Sequence, residues 1–529
     1  MNEKNRIADR LLVALLVLAL GIPAAFAAEP SAGAAGDASA AEQAGEKKAP
    51  PETSPEVELL GHLEDLEPPA EGWFYPNPTR YDVPYSAEEQ LKIYGYGGKK
   101  ANKTAQMPLD FGVRLYDRGA YTPRPVWLGA KNPVSFHLNA YGDIRTALAY
   151  NDDGEAVNGK TEQSTLATRL NLDIDAAFTA TERVHVFIRP FDKGGSFLRW
   201  DIDGGVHDKF TRRFDFNVET FFFEGDLGAM AQGATNRRNG LDLPISLGRV
   251  PLFTQNGIWL NDTFDGAAFA ITAKHSARLD IPNYDVTFFA GFDKVTTAAA
   301  PTDDSKVFGL AGFADIFKGY MEYGYGYLKA KDDDLSYHNL TAAFTKRYRG
   351  RLANSVRVIG NFGQKGISGT KTADGVLLLV ENSLVPRYAP LEHQLTVLNF
   401  VPYFNLFAGW NSPQSLARAE GSILQNTGIN FETDGLTGYP TLDAKGNDSY
   451  GGAVGLEYLF TLTRQIVIEG ATVQRMNDNA LGSGSDYALG LRFQQKIKNA
   501  WILRMDAMHG WREGRKDILG ARIEIRRKL

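Results

Sequence analysis

The chain has 529 residues, more than one ordinary soluble domain needs and enough for one large barrel. It is 43% apolar and 23% charged, rich in glycine (54), phenylalanine (31) and tyrosine (22), with a net charge of −6 and no cysteine. These values exclude wholesale disorder, give no basic footprint for a nucleic-acid partner, and rule out disulfides, iron–sulfur clusters, thiolate zinc sites and cysteine nucleophiles.

At the N-terminus, Arg6 and Arg10 precede an apolar run over residues 11–20 that is too short to cross a bilayer. Gly21 and Pro23 break it, and Ala25 and Ala27 supply the small residues a signal peptidase needs. Residues 1–27 therefore read as a secretory signal peptide. Beyond it no apolar run of about 20 residues recurs, which excludes a bundle of spanning helices. Residues 28–55 hold mainly alanine, glycine, proline and charge, and read as a flexible linker. Residues 56–133 read as a periplasmic extension or pore plug with two short helices. Leu59, Leu60, Leu63 and Leu66 mark the first by their spacing, and Ser86 with Glu89 forms a capping box for the second. The stretch 110–116 is a candidate for one additional strand.

From Val134 onward the pattern turns to period two. Phe136, Leu138, Ala140, Ile144 and Leu148 interleave with His137, Asn139, Asp143 and Arg145, and the last strand sets Ile523, Ile525 and Leu529 against Arg522, Glu524 and Arg526. Strict alternation marks strands with one apolar and one polar face. Short joints (179–183, 461–465, 498–500) alternate with long polar ones (151–163, 192–210, 297–306, 367–375, 477–485). Segments of about ten alternating residues joined in this way are the signature of an outer-membrane barrel. Residues 134–529 are accordingly expected to form an all-β, antiparallel, up-and-down transmembrane barrel of about eighteen strands. The short turns are expected in the periplasm and the long loops outside a Gram-negative cell. Alternation fades at 376–384, and a Gly-, Asn- and Ser-rich break at 411–447 reads as the largest outer loop or an inward-folding constriction.

The charged strand faces fix which side is wet, since an Arg or Lys toward hydrocarbon costs about 2–4 kcal/mol near the bilayer midplane. By parity Arg145, Arg169, Arg189, Arg357, Arg492, Arg504 and Arg522 point into the lumen with acids such as Asp143, Asp173, Asp175, Glu457, Glu469, Asp506 and Glu524. Half of these charges are expected to pair across neighbouring strands, and the remainder to line the permeation path. No HExxH or GxSxG motif occurs, and the chain reads as no enzyme, with no cofactor and no metal site.

Residues 247–269, LGRVPLFTQNGIWLNDTFDGAAF, follow an acidic-aromatic strand, FNVETFFFEGDLG. Gly248, Arg249, Asp262 and Gly266 in that order resemble the alginate export family of outer-membrane proteins. The resemblance implies a porin-like channel that passes an anionic polysaccharide outward, fed by periplasmic export-complex proteins, and it adds Arg249 to the pore-lining set. Parity alone puts Arg249 on the lipid side, so a bulge at Gly248 would have to re-aim it. The expected function is passive export of an alginate-like polymer, with the lipid bilayer and lipopolysaccharide as surroundings. The alternative is a general or substrate-specific diffusion porin for small solutes. A polymer conduit needs a continuous arginine track, whereas a porin needs an inward-folded constriction.

Overall fold

The computed structural model describes residues 107–112 and 136–529, except 158–159, 180, 194–195, 203–208, 213, 217, 236, 238, 298–303, 367–370, 385–398, 420, 433–434, 462, 477–483 and 499. The expected signal peptide, linker and both short helices lie outside the described residues.

The described chain closes into an antiparallel barrel of 18 strands. In chain order these are β1 (His137–Val157), β2 (Lys160–Ala177), β3 (Arg183–Ile188), β4 (Val218–Asp226), β5 (Pro244–Thr254) and β6 (Leu260–Ser276). Next come β7 (Ile281–Asp293), β8 (Lys306–Ile316), β9 (Gly319–Lys329), β10 (Tyr337–Tyr348), β11 (Leu352–Phe362) and β12 (Asp374–Leu384). The ring is completed by β13 (Phe400–Ser412), β14 (Ser449–Thr461), β15 (Arg464–Arg475), β16 (Ser485–Lys498), β17 (Trp501–Arg512) and β18 (Ile518–Lys528). Each strand pairs with the next, and β18 returns to β1 from Asp143↔Lys528 to Asp152↔Leu519. Closure leaves no sheet edge to satisfy in hydrocarbon, which is why only closed sheets span membranes.

Alternation builds the two faces. On β18, Leu519, Ile523 and Ile525 are exposed outward while Arg522 and Glu524 are buried inward. On β16, Tyr487, Leu489 and Leu491 face out against Asp486, Ala488 and Arg492. The third stave is broken: above β3 it resumes as Ser196–Ile202, which pairs with β2 and with the short strand Lys209–Thr211. So the expected loop at 192–210 is partly wall. The expected loop at 151–163 is largely wall too, since β1 and β2 run long and pair directly to Asp152↔Glu162. Leu109–Gly112 pairs with the start of β1 below the point where β18 ends, a rim strand rather than a nineteenth stave. A helix that local patterning did not suggest, α1 (Leu227–Thr235), follows β4 at a short-turn end, its N-terminus capped by Asp226.

The apolar core lies inside the barrel. Residues 413–448, between β13 and β14, fold into the lumen, where Leu416, Ile423, Leu424, Phe431 and Leu442 are buried against Trp259, Phe264, Ile359, Leu377, Leu379 and Phe407 of the wall. This packing explains the faded alternation of β12. Val376 faces out, and Leu377 and Leu379 face in against an apolar filling rather than water. The break at 411–447 is thus an inward constriction, not an outer loop.

Candidate functional site: a lumen narrowed by an inward segment

The inward segment is fastened on opposite sides of the ring. On one side Ala417–Arg418 makes a two-residue parallel bridge to Leu260–Asn261 at the start of β6. Leu416 N–H donates to the Trp259 carbonyl at 2.8 Å, and the Arg418 guanidinium donates to the carbonyl of Gly257. Trp259 itself is buried, with its indole N–H on Asn339 of β10 at 2.8 Å. On the other side Glu469 of β15, fully buried, accepts from Ile429 N–H, Asn430 N–H and the Asn430 amide, each at 2.9 Å, and from the Tyr403 hydroxyl at 2.5 Å. β6 and β15 stand half a ring apart among 18 strands, so a chain bonded to both crosses the lumen. Further ties reach Arg475 from Asp443 (2.6 Å) and Asn151 from the Thr437 carbonyl (2.8 Å).

A cavity of about 440 Å³ remains beside the segment, walled by Glu322 (β9), Arg357 (β11), Glu381 (β12), Tyr403 and Asn405 (β13) and Glu457 (β14). Arg357 is buried and donates to Glu381 at 2.9 Å. Glu322 and Glu457 make no hydrogen bond or ion pair among the described residues, so three carboxylates face one guanidinium. Tyr403 and Asn405 are shared with a second cavity of about 440 Å³ that is closed by Gln425, Asn426, Thr427 and Glu432 of the segment. Glu432 leads to the arginine side of the lumen, 2.6 Å from Arg492 and 3.4 Å from Arg504.

There Asp506 of β17 receives Arg492 at 2.7 Å, Arg504 at 2.9 Å and Arg522 at 2.7 Å. Glu524 takes Arg145 at 2.7 Å, and Asp143 takes Arg526. The cluster of Arg145, Arg492, Arg504 and Arg522 sets four guanidiniums against Asp506, Glu524 and Glu432. Each of these arginines is therefore partnered, and the Arg522 guanidinium also lies over the ring of Tyr439 from the segment, 5.7 Å from its centroid.

The sequence-derived arginines fall into three groups. Arg145, Arg169, Arg357, Arg492, Arg504 and Arg522 lie on the lumen face, Arg169 with its guanidinium 5.3 Å from the ring of Phe197. Arg189 sits just past the end of β3, where the stave breaks, bonded to Asp192 at 3.4 Å and Glu219 at 3.0 Å. Arg249 faces outward, which corrects the pore-lining expectation. Gly248 does take a left-handed φ of +123°, yet the pairing of β5 runs through it without a shift on either side, Phe222↔Gly248↔Gly266. Parity is kept, and Arg249 shares the outer face with Leu247 and Phe253.

Glu322, Glu381, Tyr403 and Asn405 lie on alternating strands and were open to the same parity argument as the arginines. Asn430, Glu432 and Asp443 carry no such signal, because the segment that holds them has no period. Among the described residues no three His, Asp, Glu or Cys side chains are grouped as a metal would need.

No protein-family model matches this chain, and no curated protein matches it by sequence. Solved structures similar to it include OccK5 (OpdH) of Pseudomonas aeruginosa, 10% identical with a TM-score of 0.47, covering 74% of this chain and 98% of that one. OccK1 (OpdK) of the same organism is 12% identical with a TM-score of 0.49 over 74% of this chain and 98% of its own. Acinetobacter baumannii OccAB4 is 9% identical with a TM-score of 0.49 over 75% and 98%. The resemblance to the alginate export family finds no support among them. The closed wall, with apolar side chains outside and charge inside, is that of a porin-like β-barrel of the bacterial outer membrane.

Proposed function

We propose that the chain is a passive diffusion channel for small polar solutes rather than an exporter of a long polysaccharide. The observation that carries this reading is the segment 413–448, bonded to β6 through Ala417–Arg418 and to β15 through Glu469. A polymer the length of a polysaccharide needs an open tube with a continuous cationic track. Here the tube is crossed, and the lumen arginines are held by Asp506, Glu524 and Glu432.

The passage beside the segment is electrically two-sided. Glu322 and Glu457 carry charge without an ion-pair partner among the described residues, and the arginine cluster across Glu432 holds one guanidinium more than its carboxylates. A low-dielectric wall focuses such fields into the lumen and raises the local concentration of matching solutes. A small solute bearing both signs is attracted at both walls, whereas a polyanion meets repulsion at the first. Flux then follows the solute's own gradient, with no reaction and no energy coupling.

Planar-bilayer recording and liposome swelling test this directly. The expected result is a small conductance that uronate oligomers do not block, with swelling in small zwitterions. Concentration-dependent block by uronate oligomers at the wild-type pore would restore the polymer reading.

A further inference from the structure

On the outer face of the wall, Arg249 of β5 and Asp265 of β6 are direct cross-strand partners, joined at 3.0 Å. Arg249 also donates to the carbonyl of Val218 at the start of β4. The two side chains are 28% and 43% exposed, on the face turned away from the lumen. They form part of the lining of a notch of about 650 Å³ with Phe221, Leu247, Gly248, Gly266, Ala267 and Phe292. The glycines shape it. Gly248 and Gly266 pair with each other, and an added Cβ would lie 2.4 Å from the Phe221 carbonyl and 2.0 Å from that of Ala290. Phe221, Leu247 and Phe292 are exposed at its rim.

A part-exposed ion pair set in an apolar outer face is a poor match for hydrocarbon, which offers neither a hydrogen-bond donor nor an acceptor. We infer that this notch is the contact face between two copies of the chain. The argument is one of charge and symmetry. Arg249 and Asp265 are in register, so they lie side by side along the hydrogen-bonding direction of the wall. Two barrels inserted in the same sense that meet through this same patch are related by a two-fold axis along the membrane normal. Such an axis reverses side-to-side order, so Arg249 of one copy meets Asp265 of the other twice over. A neutral pair is thereby self-complementary, as an isologous contact requires, and the two pairs satisfy each other where lipid cannot. The apolar rim supplies the surrounding packing.

The test uses the full chain, whose lack of cysteine removes background. Leu247→Cys beside the notch is expected to give a dimer with a short bis-maleimide in intact outer membranes, and Leu489→Cys on the outer face of β16 is expected not to. Arg249→Asp alone and Asp265→Arg alone should each lose the Leu247→Cys dimer several-fold, because four like charges then meet. Co-expression of the two, separately tagged, should restore a cross-linked heterodimer. Charges that act only within one barrel give no such rescue. Absence of the dimer from Leu247→Cys on the otherwise native chain overturns the inference, and so does a failure of rescue between variants that both insert. A lipid co-purifying in place of a second copy, with no cross-link, overturns it equally.

Discussion

Asn430 of the inward segment and Glu469 of the wall are joined three times. The backbone N–H and side-chain amide of Asn430 both reach the Glu469 carboxylate at 2.9 Å, and the same amide touches the Glu469 carbonyl at 3.2 Å. One wall carboxylate, buried and shared with Ile429 and Tyr403, thus fixes the middle of the constricting segment.

Replacing Glu469 by alanine is expected to release the segment. Hydrogen bonds to a charged group contribute about 1.5–3 kcal/mol each, and the donors left behind would be buried without partners. Single-channel conductance should rise and become noisy. Glu469→Gln, which keeps one acceptor, should lie between. A quiet, unchanged E469A trace would show that the segment is held elsewhere.

A second route to the same release runs through β9. Gly326 has no side chain where Leu416 seats, and an added Cβ would fall 2.3 Å from the Leu416 side chain. Gly326→Val is therefore expected to lift the 415–418 anchor and enlarge the pore, as sized by exclusion of neutral polymers. The barrel should still insert, because Gly326 lies within a strand that keeps its ladder.

Selectivity should depend more on the unpaired acids than on the arginines. Glu322→Gln with Glu457→Gln removes charge that Arg357, already held by Glu381, offsets only in part, so reversal potentials in a salt gradient should move clearly toward anions. Arg504→Gln leaves Arg492 and Arg522 on Asp506 and should move them less. A larger shift from R504Q would restore the arginine track as the dominant field.

Acid should loosen the segment at its Asp443 tie. Burial raises the Asp443 carboxyl, but the hydrogen bond and charge of Arg475, with the amide and charge of Lys445, outweigh it and hold it below the ordinary aspartate value. A lowered folded value stabilises docking above the unfolded pKa and loses that contribution as pH falls through the folded one. Conductance noise should therefore stay low at pH 5 and grow only below the usual aspartate range. Asp443→Asn should show that noise at neutral pH.

Cysteine labelling reads the orientation. Asp333→Cys, in the turn before β10, should react with an impermeant maleimide on intact cells, and Thr181→Cys, between β2 and β3, should not. Reversed labelling would turn the barrel over.

The wall of this protein is written in its sequence, because a strand's side chains alternate with period two and a membrane barrel demands opposite chemistry on its two faces. The strand number and the lumen placement of Arg145, Arg169, Arg357, Arg492, Arg504 and Arg522 followed from that local rule. So did the outward parity of Arg249, against which the family resemblance set a bulge that the unbroken register of β5 does not contain. What fills the barrel obeyed no period. Residues 413–448 are shaped by partners far away in the chain, Trp259 and Arg418's carbonyl acceptor Gly257 on one side and Glu469 on the other. Only closure of the ring brings those walls within reach of a single segment. That half of the charges pair across strands was expected from the sequence, but not which arginine meets which acid, since parity gives the face a side chain occupies and not the neighbour it finds there. Tertiary structure alone joined three arginines on Asp506 and left Glu322 and Glu457 facing the passage.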